Sequence, residues 1–78
     1  MPIKFIVGTL KQPCMWVIEA SRIREVIIEV ANDVRAGVVE QKIFGEEYAQ
    51  ITLTENSIIN EPIIIQKEID YKRRNQYT

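Results

Sequence analysis

Residues 22–37, RIREVIIEVANDVRAG, decide the fold, because their apolar side chains recur at three- and four-residue spacing. At about 100° per residue these side chains fall within an arc of about 140°. They are Ile23, Val26, Ile27, Val30, Ala31 and Val34. Acidic and amide side chains lie opposite. The stretch therefore predicts an amphipathic helix with one face buried against the rest of the chain.

Both ends of this helix carry recognisable signals. Ser21 is the expected N-cap, since its hydroxyl can accept a hydrogen bond from an unpaired backbone N–H. Gly37 is expected to end the helix, as glycine commonly does. Arg35 would then lie in the last turn, where a cation suits the helix dipole.

One isoleucine departs from the helical pattern. Ile28 lies about 140° from Ile23, off the apolar arc and beside Arg24 and Arg35. It is either a lone exposed isoleucine, which is common on protein surfaces, or a contact point for a partner or a second subunit.

Two strands precede the helix. Residues 2–10, PIKFIVGTL, and 14–20, CMWVIEA, alternate in the period of a β-strand, and the KQP between them forms a turn. Together they predict an N-terminal hairpin. The 14 Ile and 7 Val residues, against 2 Leu, favour a core built largely on a sheet.

Two or three strands follow the helix. Residues 38–44, VVEQKIF, could extend the helix or form a strand, and their β-branched content favours the strand. Residues 48–55 predict a strand with Ala49, Ile51 and Leu53 facing inward. The last predicted strand, 63–71, is IIIQKEIDY, with Ile69 and Tyr71 on one side.

The predicted fold class is α+β, with the helix packed on one face of a small mixed or antiparallel sheet. The order of strand, strand, helix and further strands resembles the ubiquitin-like β-grasp arrangement in length and element sequence. Carrier proteins of that family end in Gly-Gly, whereas this chain ends NQYT. We therefore expect no carrier or modifier role.

Residues that usually carry chemistry are scarce. The chain has no histidine and one cysteine, Cys14, which we expect to be a buried structural thiol rather than a nucleophile. One cysteine without histidine cannot supply a zinc site, and the three glycines are too isolated to cradle a phosphate. We expect no enzyme activity, no cofactor and no metal.

The apolar runs are short. About four consecutive apolar residues form the longest, whereas about 20 are needed to span a bilayer. The start, MPIKFIVG, lacks the pattern of a signal peptide. The sequence therefore predicts a cytoplasmic protein that does not span a membrane.

Charge is unevenly distributed. The net charge is −1, but residues 1–71 carry 7 cations and 11 anions, a balance of −4. We predict one folded domain over 1–71 and a flexible basic tail over 72–78. The tail either keeps the end of a strand in water or contacts nucleic acid through Lys72, Arg73, Arg74 and Tyr77. The acidic body favours the first interpretation.

The sequence as a whole predicts a non-catalytic protein–protein interaction or accessory module that forms a homodimer; the partner stays open. A two-fold arrangement could join final strands edge to edge or pair helices through Ile28. The candidate interface residues are Arg24, Ile28, Arg35, Ile69 and Tyr71. The alternative is a regulatory nucleic-acid-binding protein that uses Arg22, Arg24 and Arg35 together with the basic tail.

Overall fold

The computed structural model describes residues 2–54 and 58–75, without the side chains of the last two. Two helices and five strands make up this part of the chain. The strands are β1 (Ile3–Gly8), β2 (Trp16–Ala20), β3 (Val38–Phe44), β4 (Tyr48–Leu53) and β5 (Ile63–Lys67). The helices are α1 (Ile23–Val34), between β2 and β3, and α2 (Glu68–Asn75), after β5.

The five strands form one antiparallel sheet in the order β2-β1-β5-β4-β3. This confirms the α+β class and the N-terminal hairpin. A five-strand sheet and a second helix after the last strand distinguish it from the predicted order. The β-grasp resemblance rests on element order alone. Element order does not determine the relative direction of two strands, and here β1 and β5 pair antiparallel.

The core lies between one face of the sheet and α1. Inward-facing side chains of β1, β2, β4 and β5 meet the apolar arc of the helix, as their alternation predicted. Its fully buried members are Phe5, Val7, Val26, Val30, Ala49, Ile51, Ile63 and Ile65. α1 contacts β2, β4 and β5.

The start of α1 differs from the expectation. Arg22, not Ser21, is the N-cap residue, and no side chain caps the helix there. The backbone N–H of Ser21 instead donates to the Glu25 carboxylate at 3.3 Å. An acidic side chain in the first turn still complements the positive end of the helix dipole.

The end of α1 also differs, because Arg35 rather than Gly37 takes the left-handed conformation that stops a helix. Its φ and ψ are 54° and 45°. The Arg35 N–H donates to the Asn32 carbonyl and the Ala36 N–H to the Ala31 carbonyl, which is the Schellman pattern. A residue with a Cβ occupies a position that usually favours glycine.

The sequence left residues 38–44 open between helix and strand. They form a strand, as their β-branched content favoured. β3 and β4 form a hairpin closed by residues 45–47, where Gly45 has a φ of 66°. A bulge at Val39 shifts the register between Val38 and Glu40, and the pairing of 40–44 with β4 is regular.

The predicted final strand is too long by four residues, because Glu68 to Tyr71 open α2. Apolar Ile69 and Tyr71 alternate with acidic neighbours and so mimic a strand. Acidic residues in the first turn and cations later suit a helix dipole, and Lys72 pairs with Glu68 one turn away at 3.5 Å. The described part of the predicted tail, residues 72–75, is the second half of this helix.

The β1–β2 loop packs closely over the sheet. Gly8 faces the side opposite α1, and a Cβ there would lie 2.3 Å from the Gln12 carbonyl oxygen and 2.5 Å from Pro13. The Thr9 hydroxyl accepts from the Gln12 N–H at 3.1 Å, which holds the loop. Cys14, expected to be buried in β2, is exposed in this loop because the strand begins only at Trp16.

Arg35→Gly should stabilise the protein, because glycine adopts the left-handed conformation without a Cβ clash. The relief is about 1 kcal/mol, part of which the extra freedom of glycine in the unfolded chain offsets. Urea unfolding of Arg35→Gly and Arg35→Ala separates backbone strain from charge. An alanine variant as stable as the glycine variant would contradict the strain argument.

Gly8→Ala should destabilise the protein strongly, because the loop backbone must move to admit the methyl group. We expect a loss of about 1–3 kcal/mol, the usual cost of overpacking. Gly37→Ala is the matched control: its Cβ would meet only the Thr54 methyl group at 3.4 Å. Equal melting temperatures for the two variants would show that the loop is free to move.

Candidate interaction site

The candidate residues on α1 do not form an apolar surface. Ile28 is 62% exposed on the outer side of the helix, with Arg24 one turn before it. Its exposed helical neighbours at three- and four-residue spacing include Glu25 and Asn32, and the exposed Glu29 follows it directly. Arg35 lies beyond the last turn. Ile28 is therefore an isolated apolar side chain among polar ones.

The helical conformation of α2 separates two residues that a strand would have aligned. Ile69 and Tyr71 are two positions apart, or about 200° around a helix. Ile69 is 62% exposed and shares a surface with Lys72 and Arg73, whereas Tyr71 is half-buried. They cannot act together as an apolar stripe.

Edge-to-edge pairing of final strands is excluded by the sheet order. β5 lies between β1 and β4 and pairs with both. Both of its edges are therefore occupied within one chain. The sequence-based suggestion that final strands join two copies is wrong, because β5 is central rather than peripheral.

The basic cluster near the C-terminus is partly neutralised by its own helix. Lys72 is paired with Glu68, and Asp70 lies between them in the sequence. Residues 68–75 carry three cations and two anions, a balance of +1. Arg73 is exposed, whereas the Arg74 side chain and Tyr77 lie outside the described part of the structure.

The sheet face opposite α1 carries one row of side chains across all five strands. In sheet order the row is Val17, Ile6, Gln66, Tyr48 and Phe44. Its middle is covered, since Ile6 is 3% and Gln66 7% exposed. The β1–β2 loop over Gly8 and helix α2, which contacts β1 and β5, pack near these strands. The two ends of the row are open.

Cavities are small or shallow. A cleft of about 210 Å³ on the covered face, between the loop and Tyr48, Ile64 and Gln66, is below the roughly 300 to 1,000 Å³ of ligand pockets. A wider cleft of about 450 Å³ lies between this loop and residues 58–61. An exposed Lys11–Glu61 pair at 3.7 Å lines it. The smaller cleft is lined by two buried polar residues, Thr9 and Gln66, but its volume is below that of typical ligand pockets.

The most exposed strand is β3, at one edge of the sheet. Within the part of the chain that the structure describes, it pairs with β4 on one side and has no strand on the other. Val39 is 66% and Phe44 58% exposed, and Phe44 contacts Tyr48 with ring centroids 5.7 Å apart. Glu40 and Lys42 form an exposed pair at 3.7 Å on the same face.

Sequence reasoning missed Val39 and Phe44 as surface residues. Both lie in the stretch whose helix or strand character was left open, and their exposure depends on β3 being an edge. One available signal was the pair of aromatic residues flanking the Gly45 turn, which a hairpin places opposite each other.

Within residues 2–54 and 58–75, no three Cys, Asp or Glu residues cluster in a way that could hold a metal ion. No helix in that part of the chain is long and apolar enough to cross a membrane. No protein-family model, curated protein or solved structure matches the chain. The β3 edge is the strongest candidate for a functional surface.

Phe44→Ala should cost the folded monomer less than about 1.5 kcal/mol, because only a cross-strand aromatic contact and limited burial are lost. Phe5→Ala, at a fully buried position, should cost about 3–5 kcal/mol. Urea unfolding at the lowest measurable protein concentration compares the two. A Phe44→Ala loss as large as that of Phe5→Ala would mean that Phe44 serves the fold rather than a surface.

Proposed function

We propose that this chain is a non-catalytic protein–protein interaction module that acts as a homodimer and associates through the β3 edge. The observation that carries the proposal is the exposure of Val39 and Phe44 on a strand whose outer edge has no strand neighbour among residues 2–54 and 58–75. Open edges pair readily with another strand, since their outward N–H and C=O groups are ready partners.

The way α1 packs supports this choice of edge. α1 contacts β2, the other edge strand, as well as β4 and β5, whereas β3 packs chiefly against β4. β3 is thus the edge with less cover from the rest of the chain. A second copy would supply a neighbour on its outer side and bury part of Phe44.

Size is a second support. A domain of this length buries only about 60% of the surface that its unfolded chain exposes. Association adds buried apolar area without enlarging the chain.

We place the module in the cytoplasm, because its one cysteine is exposed and free, a state that reducing compartments preserve.

Nucleic-acid binding has weaker support. The positive charge of α2 is reduced by Glu68 and Asp70, and the chain as a whole is acidic. Phosphate contacts require cations that are free to displace counterions. Nucleic-acid binding through α2 is therefore the less favoured function.

Two variants matched in exposure test the homodimer: Phe44→Asp on β3 and Ile28→Asp on α1, at 58% and 62% exposure. We expect the unaltered chain to show a dimer mass by light scattering at high micromolar concentration. Phe44→Asp should shift it to monomer, because a carboxylate would be placed at the apolar end of the interface. Ile28→Asp should leave the dimer intact.

A monomer mass at every concentration would refute the homodimer. A dimer that Ile28→Asp dissociates and Phe44→Asp does not would move the interface to α1. Fluorescence anisotropy with mixed-sequence DNA at low salt tests the alternative. The triple variant Lys72→Gln, Arg73→Gln and Arg74→Gln removes the three cations. We prefer it to truncation after Tyr71, which would cut α2 in two. Binding by the unaltered chain that the triple variant loses would favour the nucleic-acid function.

A further inference from the structure

The order of charges along β3 suits pairing with an identical strand. The strand reads VVEQKIF, with Gln41 at its centre, Glu40 and Lys42 on either side of it, and apolar residues at both ends. In antiparallel pairing the second strand runs in the opposite direction. A charge order of minus, neutral, plus then meets plus, neutral, minus.

We propose that two copies join their β3 strands antiparallel about a two-fold axis through Gln41, making one continuous sheet of ten strands, five from each copy. This inference rests on the proposed homodimer and specifies its geometry. Within residues 40–42, each residue n then lies opposite residue 82 − n of the second copy. Glu40 faces Lys42 of the second copy twice, once on each side of the axis.

The two nearest alternative registers are unfavourable. In an antiparallel ladder, residues whose backbone groups point outward must face one another, so one strand can shift along the other only in steps of two residues. Each such shift moves the two-fold axis by one residue, to Glu40 or to Lys42. Centring the axis on Glu40 places this carboxylate opposite its own copy. Centring it on Lys42 does the same with two ammonium groups. Like charges directly opposite are destabilising, so the Gln41 centre is favoured.

The side chains also lie on suitable faces. Lys42 and Phe44 are opposite Gln50 and Tyr48 of β4 and therefore point away from α1, as Glu40 does. In the dimer, Glu40 and Lys42 of the two copies form a group of four alternating charges on this open face. Gln41 and Ile43 point to the α1 side, where Ile43 already packs against the core.

The bulge at Val39 limits the ladder without preventing it. Bulges and charged residues commonly protect edge strands from pairing. Here residues 40–44 remain regular, and the two charges are ordered for attraction in one register. Beyond the bulge, the backbone of residues 38–39 runs beside residues 43–44 of the second copy, but Val38 faces the α1 side and Phe44 the opposite side.

Charge reversal tests this register. Glu40→Lys leaves four cations around the axis of its own dimer, and Lys42→Glu leaves four anions. Each should raise the dimer dissociation constant by about tenfold or more, since two opposite-charge pairs become like-charge pairs. The double variant, with both changes, restores opposite pairs and should dimerise within about threefold of the unaltered chain. A mixture of the two single variants should form a mixed dimer.

The matched controls are Lys11→Glu and Glu61→Lys, which change net charge equally at an ion pair between two loops outside β3. They should leave dimerisation unchanged. Sedimentation equilibrium measures all variants, and circular dichroism checks that each is folded. The mixing experiment keeps the test valid if one variant is destabilised, because only complementary charges across the axis predict recovery.

The outcomes separate the two proposals. Loss in both single variants with recovery in the double variant and the mixture supports the Gln41 register. A dimer that every single variant retains overturns the register and leaves the homodimer standing. The register is also overturned if the single variants lose dimerisation and neither the double variant nor the mixture recovers it. A monomeric unaltered chain overturns both proposals.

Discussion

The sheet depends on β5 lying between two hairpins that are otherwise separate. β1 and β2 are joined by one local turn, and β3 and β4 by another, but β1 and β4 do not pair with each other. β5 pairs with both, and its Ile63 and Ile65 are fully buried beneath α1. Burying each such side chain contributes about 1.5–3 kcal/mol. Packing of this strand therefore turns two hairpins into one sheet.

The same insertion determines which surfaces stay open. Once β5 is central, β2 and β3 become the edges, and α1 covers the β2 side as it crosses the sheet. On the other face, the β1–β2 loop lies over Gly8 so closely that no side chain fits beneath it. β3 remains as a strand with one neighbour. Its exposed apolar side chains follow from the position of β5 rather than from any feature of β3 alone.

The charges of β3 suit both the single chain and the proposed dimer. In one chain, Glu40 and Lys42 form an exposed pair, which contributes little to stability and keeps the edge hydrated. In the proposed dimer, the same residues would discriminate among registers and directions, because a parallel in-register pairing would place Glu40 opposite Glu40. Specificity of this kind depends on penalties for wrong pairings as much as on attraction in the right one.

The local periodicity of the sequence determined the N-terminal hairpin, the buried face of α1 and the inward residues of β4, since each is a pattern within a few neighbouring residues. Composition, rather than periodicity, shows that the chain has no histidine and one cysteine. Residues 68–71 were misread because Ile69 and Tyr71 alternate as in a strand, whereas a helix gains from acidic residues in its first turn and from the Glu68–Lys72 pair. Only the tertiary structure decided that β5 is central, that Cys14 is exposed and that Val39 and Phe44 lie on an open edge. Those properties depend on pairing between segments distant in sequence, and hydrophobic alternation identifies the face a side chain occupies but not the strand beside it.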